Sequence, residues 1–162
     1  MQGVIIMPEG FDFTLLPEGE IILEFATHEI GTVKDNDLRI QLAYNRVKSI
    51  SNDWYIDKIG ADLEELVGQP CTAGIIEYGK EKIYEQLTYD NLWRREYIHI
   101  QSTVNNNTNV TYAIFLRIFD ETAIEDSYVY EITAELDLVK GVFIRFGWQP
   151  KRKGWFHGIK YI

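Results

Sequence analysis

One cysteine in 162 residues, Cys71, excludes an internal disulfide and supplies no thiolate pair for a metal, an economy suited to a reducing compartment. Histidines are also scarce: His28, His99 and His157 stand far apart and lack the i, i+4 spacing of a helical zinc site. No apolar stretch approaches the roughly 20 residues of a membrane span, and the opening MQGVIIMPEG has no basic n-region. Neither secretion by a signal peptide nor membrane embedding is expected. Glycines are not grouped into a phosphate loop or a dinucleotide fingerprint; Gly60 and Gly68 stand alone. Positive charge is in short supply, with 16 Lys and Arg against 25 Asp and Glu and a formal net charge of −9. Phosphate binding needs local positive charge to release counterions, so a nucleic-acid groove is not the expected main role.

What the chain does hold is apolar and aromatic mass. Hydrophobic residues make up 46% and aromatics 14% of the sequence, far from the composition that keeps a chain disordered. The length suits one domain that buries roughly two-thirds of its unfolded surface. Its charge is unevenly laid out. Residues 1–37 carry eight acids against Lys34, and residues 120–137 carry seven acids and no base. The end, from Lys151, has Lys151, Arg152, Lys153 and Lys160 and no acid. Patches of opposite sign suit head-to-tail or mixed assemblies with protein partners, although they also serve as ordinary solvated surface.

Short apolar runs broken by Pro8, Gly10, Pro17, Gly19 and Gly31 predict short strands and turns over residues 1–34, an N-terminal arm or edge hairpin. From Asp35 the apolar residues Ile40, Ala43, Tyr44, Val47 and Ile50 fall at helical spacing, with Asp35, Asn36 and Asp37 as capping and charge signals. The spacing predicts a helix over about 37–51, and Leu38 and Leu42 widen its apolar face enough to be covered on more than one side. A strand Trp54-Tyr55-Ile56 follows, then a turn at Gly60 and a short helix Ala61–Val67 closed by Gly68. Thr72 is a plausible N-cap for a second long helix reaching about Tyr89, with Ile76, Ile83 and Leu87 on one stripe. Alternation then takes over at Tyr97–Ser102 and Val110–Ile118, around an Asn-rich turn, and predicts an antiparallel hairpin. The sequons at Asn106 and Asn109 fall in this polar turn and read as loop rather than glycan sites. Strand-like runs recur at Tyr128–Leu138 and Gly141–Trp148.

Several residues could carry chemistry. Asp53, Asp57, Asp62, Glu64 and Glu65 offer carboxylate pairs of the kind a glycosidase holds about 5 to 10 Å apart, yet acids on turns and helix faces are mostly caps and solvent contacts. No catalytic residue and no cofactor or metal is expected. Cys71 lies at a helix entrance, where the dipole favours a thiolate, but has no adjacent histidine. Trp93, Arg94 and Arg95 combine an indole anchor with carboxylate-binding guanidinium groups, as a protein interface does; a helix C-terminal cap is the competing account. Lys151, Arg152, Lys153 and Trp155 form a basic aromatic tail of the kind that docks on an acidic partner surface.

From about Gly19 to Phe119 the chain resembles the baseplate wedge and sheath-initiator family of contractile-tailed phages, often labelled lysozyme-like. The likeness rests on Asn45–Ile50, on Asp53–Leu63 with its Asp57-x-x-Gly60-x-x-Leu63 pattern, and on the helix after Thr72. Trp93-Arg94-Arg95-Glu96 stands where the family commonly has a Glu-Pro-Arg-like corner, without the proline. The resemblance implies an α+β fold: two main helices packed on an antiparallel sheet, with an extended N-terminal arm over 1–34, a wedge core over 35–119 and a β-rich C-terminal extension over 120–162. Trp54, Tyr55, Asp57, Gly60 and Leu63 would shape the corner of that core. It further implies a non-enzymatic part of the virion tail baseplate, assembled in the host cytoplasm. The implied partners are other wedge proteins, tail tube and hub proteins and the sheath protein, which would build on the sheet by strand addition; neither nucleic acid nor membrane is among them. A tail-associated peptidoglycan hydrolase and a small cytoplasmic adaptor are the alternatives.

Overall fold

The computed structural model describes residues 11–13, 23–24, 29–30, 32–51, 58–118 and 128–151, with side chains over 37–51, 58–117 and 129–141. In chain order the elements are β1 (Phe11–Phe13), β2 (Leu23–Glu24), β3 (Glu29–Ile30), β4 (Thr32–Lys34), α1 (Asp35–Lys48), a 3-10 turn (Leu63–Leu66) and α2 (Ala73–Thr88). After two further 3-10 turns come β5 (Ile98–Val104), β6 (Asn109–Ile118), β7 (Tyr128–Asp137) and β8 (Val142–Lys151). The class is α+β, as the sequence implied.

In the arm, β1 pairs with β4 and β2 with β3, both antiparallel. The last four strands form one antiparallel meander in the order β5-β6-β7-β8. A boundary drawn between residues 119 and 120 falls between two neighbouring strands of this sheet, since β6 and β7 are paired from Asn109↔Asp137 to Ile118↔Tyr128. Strand β7 also supplies Ile132, Ala134 and Leu136 to the same buried cluster as the helices.

Alternation along the strands decides which face is covered. Val110, Tyr112, Ile114 and Leu116 of β6 meet Ile40, Ala43 and Val47 of α1 and Ile76, Ile83 and Leu87 of α2 in one core. Helix α1 is buried on more than one side, as its wide apolar face predicts, and the buried residues include Arg39, Gln41 and Arg46. Helix α2 starts where expected: Thr72 Oγ1 accepts the Ile75 amide at 3.4 Å, satisfying one of the free N–H groups of the first turn. Midway along it, Gly79 presents no side chain to Tyr112, whose hydroxyl donates to the Ile76 carbonyl at 3.0 Å. Burial pushes the Tyr112 phenol well above its ordinary range, so it stays a donor at any physiological pH.

Two expected helices are shorter than their patterns suggest. Helix α1 ends at Lys48, not near 51, because its last groups pair outside the helix: the Ser49 amide still makes the helical bond to the Asn45 carbonyl at 3.0 Å, but the Arg46 carbonyl accepts from Ala61 at 2.9 Å and the Ser51 amide donates to Asp62 Oδ1 at 2.6 Å. The segment Ala61–Val67 makes a single 3-10 turn, Leu63–Leu66, since Asp62 is left-handed at φ 50° and Gly68 ends it at φ 78°. The expected strand Trp54-Tyr55-Ile56 lies outside the described residues. Polar side chains close the β5–β6 and β7–β8 turns. Asn106 Oδ1 accepts from the amides of Thr108 and Asn109 and from the Thr108 hydroxyl, each at 2.9 Å. Asp137 Oδ1 accepts from Val139 and Lys140 amides at 2.9 Å, and those donors, Lys140 first, hold its carboxyl below the usual range.

Candidate functional site

The corner after α1 is tied down from three directions. Ala61 donates to the Arg46 carbonyl at 2.9 Å, and the Ser51 amide donates to Asp62 Oδ1 at 2.6 Å. Gln86, on α2, supplies the third tie with both ends of its amide: Nε2 donates to the Lys58 carbonyl and Oε1 accepts from the Gly60 amide, each at 2.9 Å. One side chain thus replaces a peptide group that the turn lacks. Gln86→Ala is expected to lower stability by about 1–2 kcal/mol, because the Gly60 amide loses its partner. Urea unfolding checks it, and a change within 0.3 kcal/mol would show that water replaces the amide.

Arginines from α1 close the same, C-terminal end of α2. Arg46 Nη1 donates to the carbonyls of Gln86 and Tyr89 at 3.1 and 2.8 Å, and Nη2 reaches Asp90 Oδ2 at 3.4 Å. The chain leaves α2 through two left-handed residues, Asp90 at φ 58° and Asn91 at φ 55°. Arg39 Nη2 donates to the Leu92 carbonyl at 2.6 Å while its guanidinium lies 4.4 Å from the Trp93 ring centre. Burial lowers the pKa of both arginines, without bringing either within range of losing its charge.

Trp93 is therefore a core residue, a correction to its reading as an interface anchor. It is 1% exposed, and its Nε1 donates to the Arg117 carbonyl at 3.0 Å. Arg94, half-buried, lies 3.8 Å from Glu96. Exposed Arg95 donates to both Glu81 oxygens at 3.0 and 3.1 Å and sits 4.1 Å over the Tyr84 ring. The trio thus divides: the indole points inward and Arg95 stays on the surface. Leu63 and Gly60 are buried in the corner as expected, whereas Trp54, Tyr55 and Asp57 lie outside the described residues. Lys151 ends β8 opposite Val129, and Arg152, Lys153 and Trp155 lie outside the described residues.

Of the candidate carboxylates, three lie among the described residues. Asp53 and Asp57 lie outside the described residues, Asp62 is engaged by the Ser51 amide, and Glu64 and Glu65 are exposed. Glu65 accepts from the Tyr78 hydroxyl at 2.6 Å and lies 3.3 Å from Lys82, and these contacts keep its carboxyl below the ordinary range. With Leu66, Gln69, Ile75 and Tyr78 it lines an open groove of about 340 Å³. His99 stacks on Phe115 at 6.1 Å, and burial, then Lys80, lowers its pKa. Cys71 is half-buried against the core. Among the described residues no group of three His, Cys, Asp or Glu is placed to hold a metal, and no helix is long and apolar enough to cross a membrane.

Among the described residues, the four-stranded sheet has two edge strands, β5 and β8. Asn105 donates to the Asn109 carbonyl at 3.0 Å, which makes 105 and 109 a hydrogen-bonded pair and, by alternation, 103 with 111, 101 with 113 and 99 with 115. Ile98, Ile100, Ser102 and Val104 therefore turn their amides and carbonyls away from β6. On the other side, Leu138 donates to Thr108 at 2.8 Å, which assigns even-numbered β7 residues to β6 and odd-numbered ones to β8. Phe146 and Trp148, opposite Ala134 and Ile132, then turn their amides and carbonyls outward, and Pro150, opposite Tyr130, turns out a carbonyl alone. A register shift between Glu135 and Leu136 marks an irregularity nearer the turn.

Arg39, Arg46, Tyr84 and Gln86 escaped the sequence reading, since each acts on a partner at least 14 residues away. The only hint was charge inside the wide apolar face of α1. Comparison of the chain with protein-family models, with curated proteins and with solved structures gave no match.

Proposed function

We propose that this chain is a non-enzymatic structural component of a phage contractile-tail baseplate, a wedge-core protein that connects wedge subunits to the central hub and starts sheath assembly by accepting a partner strand. The observation that carries this reading is the four-stranded meander that ends in the ten-residue strand β8. A row of outward amides and carbonyls on such an edge pairs with an incoming strand, and alternate side chains fix the register. The exposed Arg95, the basic tail from Lys151 and the acidic stretches elsewhere in the chain support contacts between unlike charged surfaces. The other wedge proteins, the tube and hub proteins and the sheath protein are the partners in this reading, and the virion tail is its location.

Electron microscopy and mass spectrometry of assembled tails test it. The protein is expected in the baseplate, and removal of residues 152–162 is expected to leave the isolated fold intact while tails fail to complete their sheath. Absence of the protein from purified tails would overturn the proposal. Turnover of peptidoglycan by the purified protein, lost in Asp57→Asn or Glu64→Gln, would replace it with the hydrolase reading.

A further inference from the structure

The two edges of the sheet are not equivalent. On β5 the outward main-chain groups of Ile98 and Ile100 meet a side chain of the neighbouring helix: the Tyr84 hydroxyl stands 3.5 Å from the Ile98 carbonyl and faces the Ile100 amide. The hydroxyl therefore stands at the Ile98 carbonyl, where the amide of an added strand would sit. The ring is held there by its own packing. It lies against the core, and Arg95 covers its outer side at 4.1 Å while gripping Glu81 with two hydrogen bonds, one turn earlier on α2. Arg95 opens the short turn Arg95–Tyr97 that leads into β5, so its contacts tie α2 to the start of that strand. Beyond this plug, Ser102 and Val104 continue the outward row, and Val104 is 47% exposed. An edge of this kind pairs with another chain unless something covers it.

We infer that Tyr84 is an edge guard, which closes β5 to main-chain pairing so that an added strand is admitted instead at β8, along Phe146 and Trp148 ahead of Pro150. This rests on the strand-addition reading for its biological use, but the guard itself is a property of the isolated chain. In its absence the occupant of β5 is a second copy of β5, paired antiparallel about Ile100 and Ser102. A self-complementary edge of identical sequence meets no charged residue between Ile98 and Val104 apart from the titratable His99, whose main chain belongs to the β6 side.

Hydrogen exchange and light scattering on purified protein test the guard. Tyr84→Phe keeps the ring and removes the hydroxyl, and the Ile100 amide is expected to exchange about fivefold faster, as loss of one hydrogen bond implies. Tyr84→Ser removes the plug, and a concentration-dependent dimer is expected. Adding Ser102→Pro should abolish that dimer, since the Ser102 amide points out of the sheet and proline there deletes only an edge donor. Equal Ile100 exchange in wild type and Tyr84→Phe overturns the inference. So does a folded Tyr84→Ser protein that keeps the wild-type oligomeric state, or a dimer that persists with Ser102→Pro. If Tyr84→Ser fails to fold, the exchange result decides alone. A guard that passes these tests in a protein missing from tails would leave the guard standing and remove the baseplate role.

Discussion

Trp93→Ala is expected to destabilise the protein by about 3–5 kcal/mol, the largest effect of any single side-chain truncation proposed for this chain. Three losses combine. The indole is among the largest fully buried side chains, so its removal leaves a cavity between α1, the end of α2 and the sheet. Its Nε1 no longer satisfies the Arg117 carbonyl at 3.0 Å, and Arg39 loses the ring that lies 4.4 Å beneath its charge. A buried guanidinium left without that surface is costly, which places the change at the upper end of the range for an aromatic truncation. Trp93→Phe separates these contributions, because it keeps most of the apolar surface and the cation–π partner while deleting the donor; about 1–2 kcal/mol is expected. Urea unfolding followed by near-ultraviolet circular dichroism measures both. A loss below 1 kcal/mol for Trp93→Ala would mean that the indole is not packed as described, and would restore it as a candidate surface anchor.

The second large effect is expected at Gly60. Its φ of 140° lies in backbone space that L side chains rarely adopt, and an added Cβ would stand 2.6 Å from both Ile50 C and Ser51 N and 2.7 Å from Ser49 O. All three neighbours are main chain, so no rotamer change relieves the contact. Gly60→Ala is expected to cost about 3–4 kcal/mol, strain and overpacking together. Gly68 is the control. It too has a positive φ, 78°, but nothing lies within 4 Å of its added Cβ, so Gly68→Ala is expected to cost only about 1 kcal/mol. Thermal unfolding of the two variants side by side distinguishes close approach from conformational strain. Equal losses would show that close packing against Ile50 and Ser51 contributes nothing.

The difference between these two glycines shows where the sequence was informative and where it was not. Periodicity identified α2 with its Thr72 cap and its buried stripe, and alternation identified the faces of β6, because both patterns are written within a few consecutive residues. Turn signals at Gly60 and Gly68 were equally legible, yet only the fold brings Ile50 against one of them. The extent of α1 is overestimated for a similar reason: Ile50 continues the helical spacing, while the bonds that end the helix, Ala61 to the Arg46 carbonyl and Ser51 to Asp62, involve residues beyond it and leave no periodic signal. Asp62 was readable as an acid near a helix start, but its left-handed backbone and its bond to Ser51 shortened the expected helix to a 3-10 turn. Trp93 was misassigned because an indole followed by two arginines has the composition of an interface, and composition does not say which way a side chain points. The strands after residue 120 were recognised individually; their membership in the same sheet as β5 and β6 depends on pairing, which local pattern does not encode.

The arginines of α1 also set an order of events as the chain leaves the ribosome. Arg39 takes its carbonyl from Leu92, 53 residues later, and Arg46 takes its own from Gln86 and Tyr89, 40 and 43 residues later. At roughly 5–20 residues per second, several seconds pass between the synthesis of α1 and the emergence of the groups that satisfy it. Throughout that interval the helix has neither its apolar cover nor its acceptors, and the two charges keep its unfinished face wet. Once Trp93 and the hairpin after it have emerged, the same charges become the bonds that lock α1 in place. Leucines at 39 and 46 would instead widen the apolar face that α1 shows for those seconds and leave it open to association with other unfinished chains.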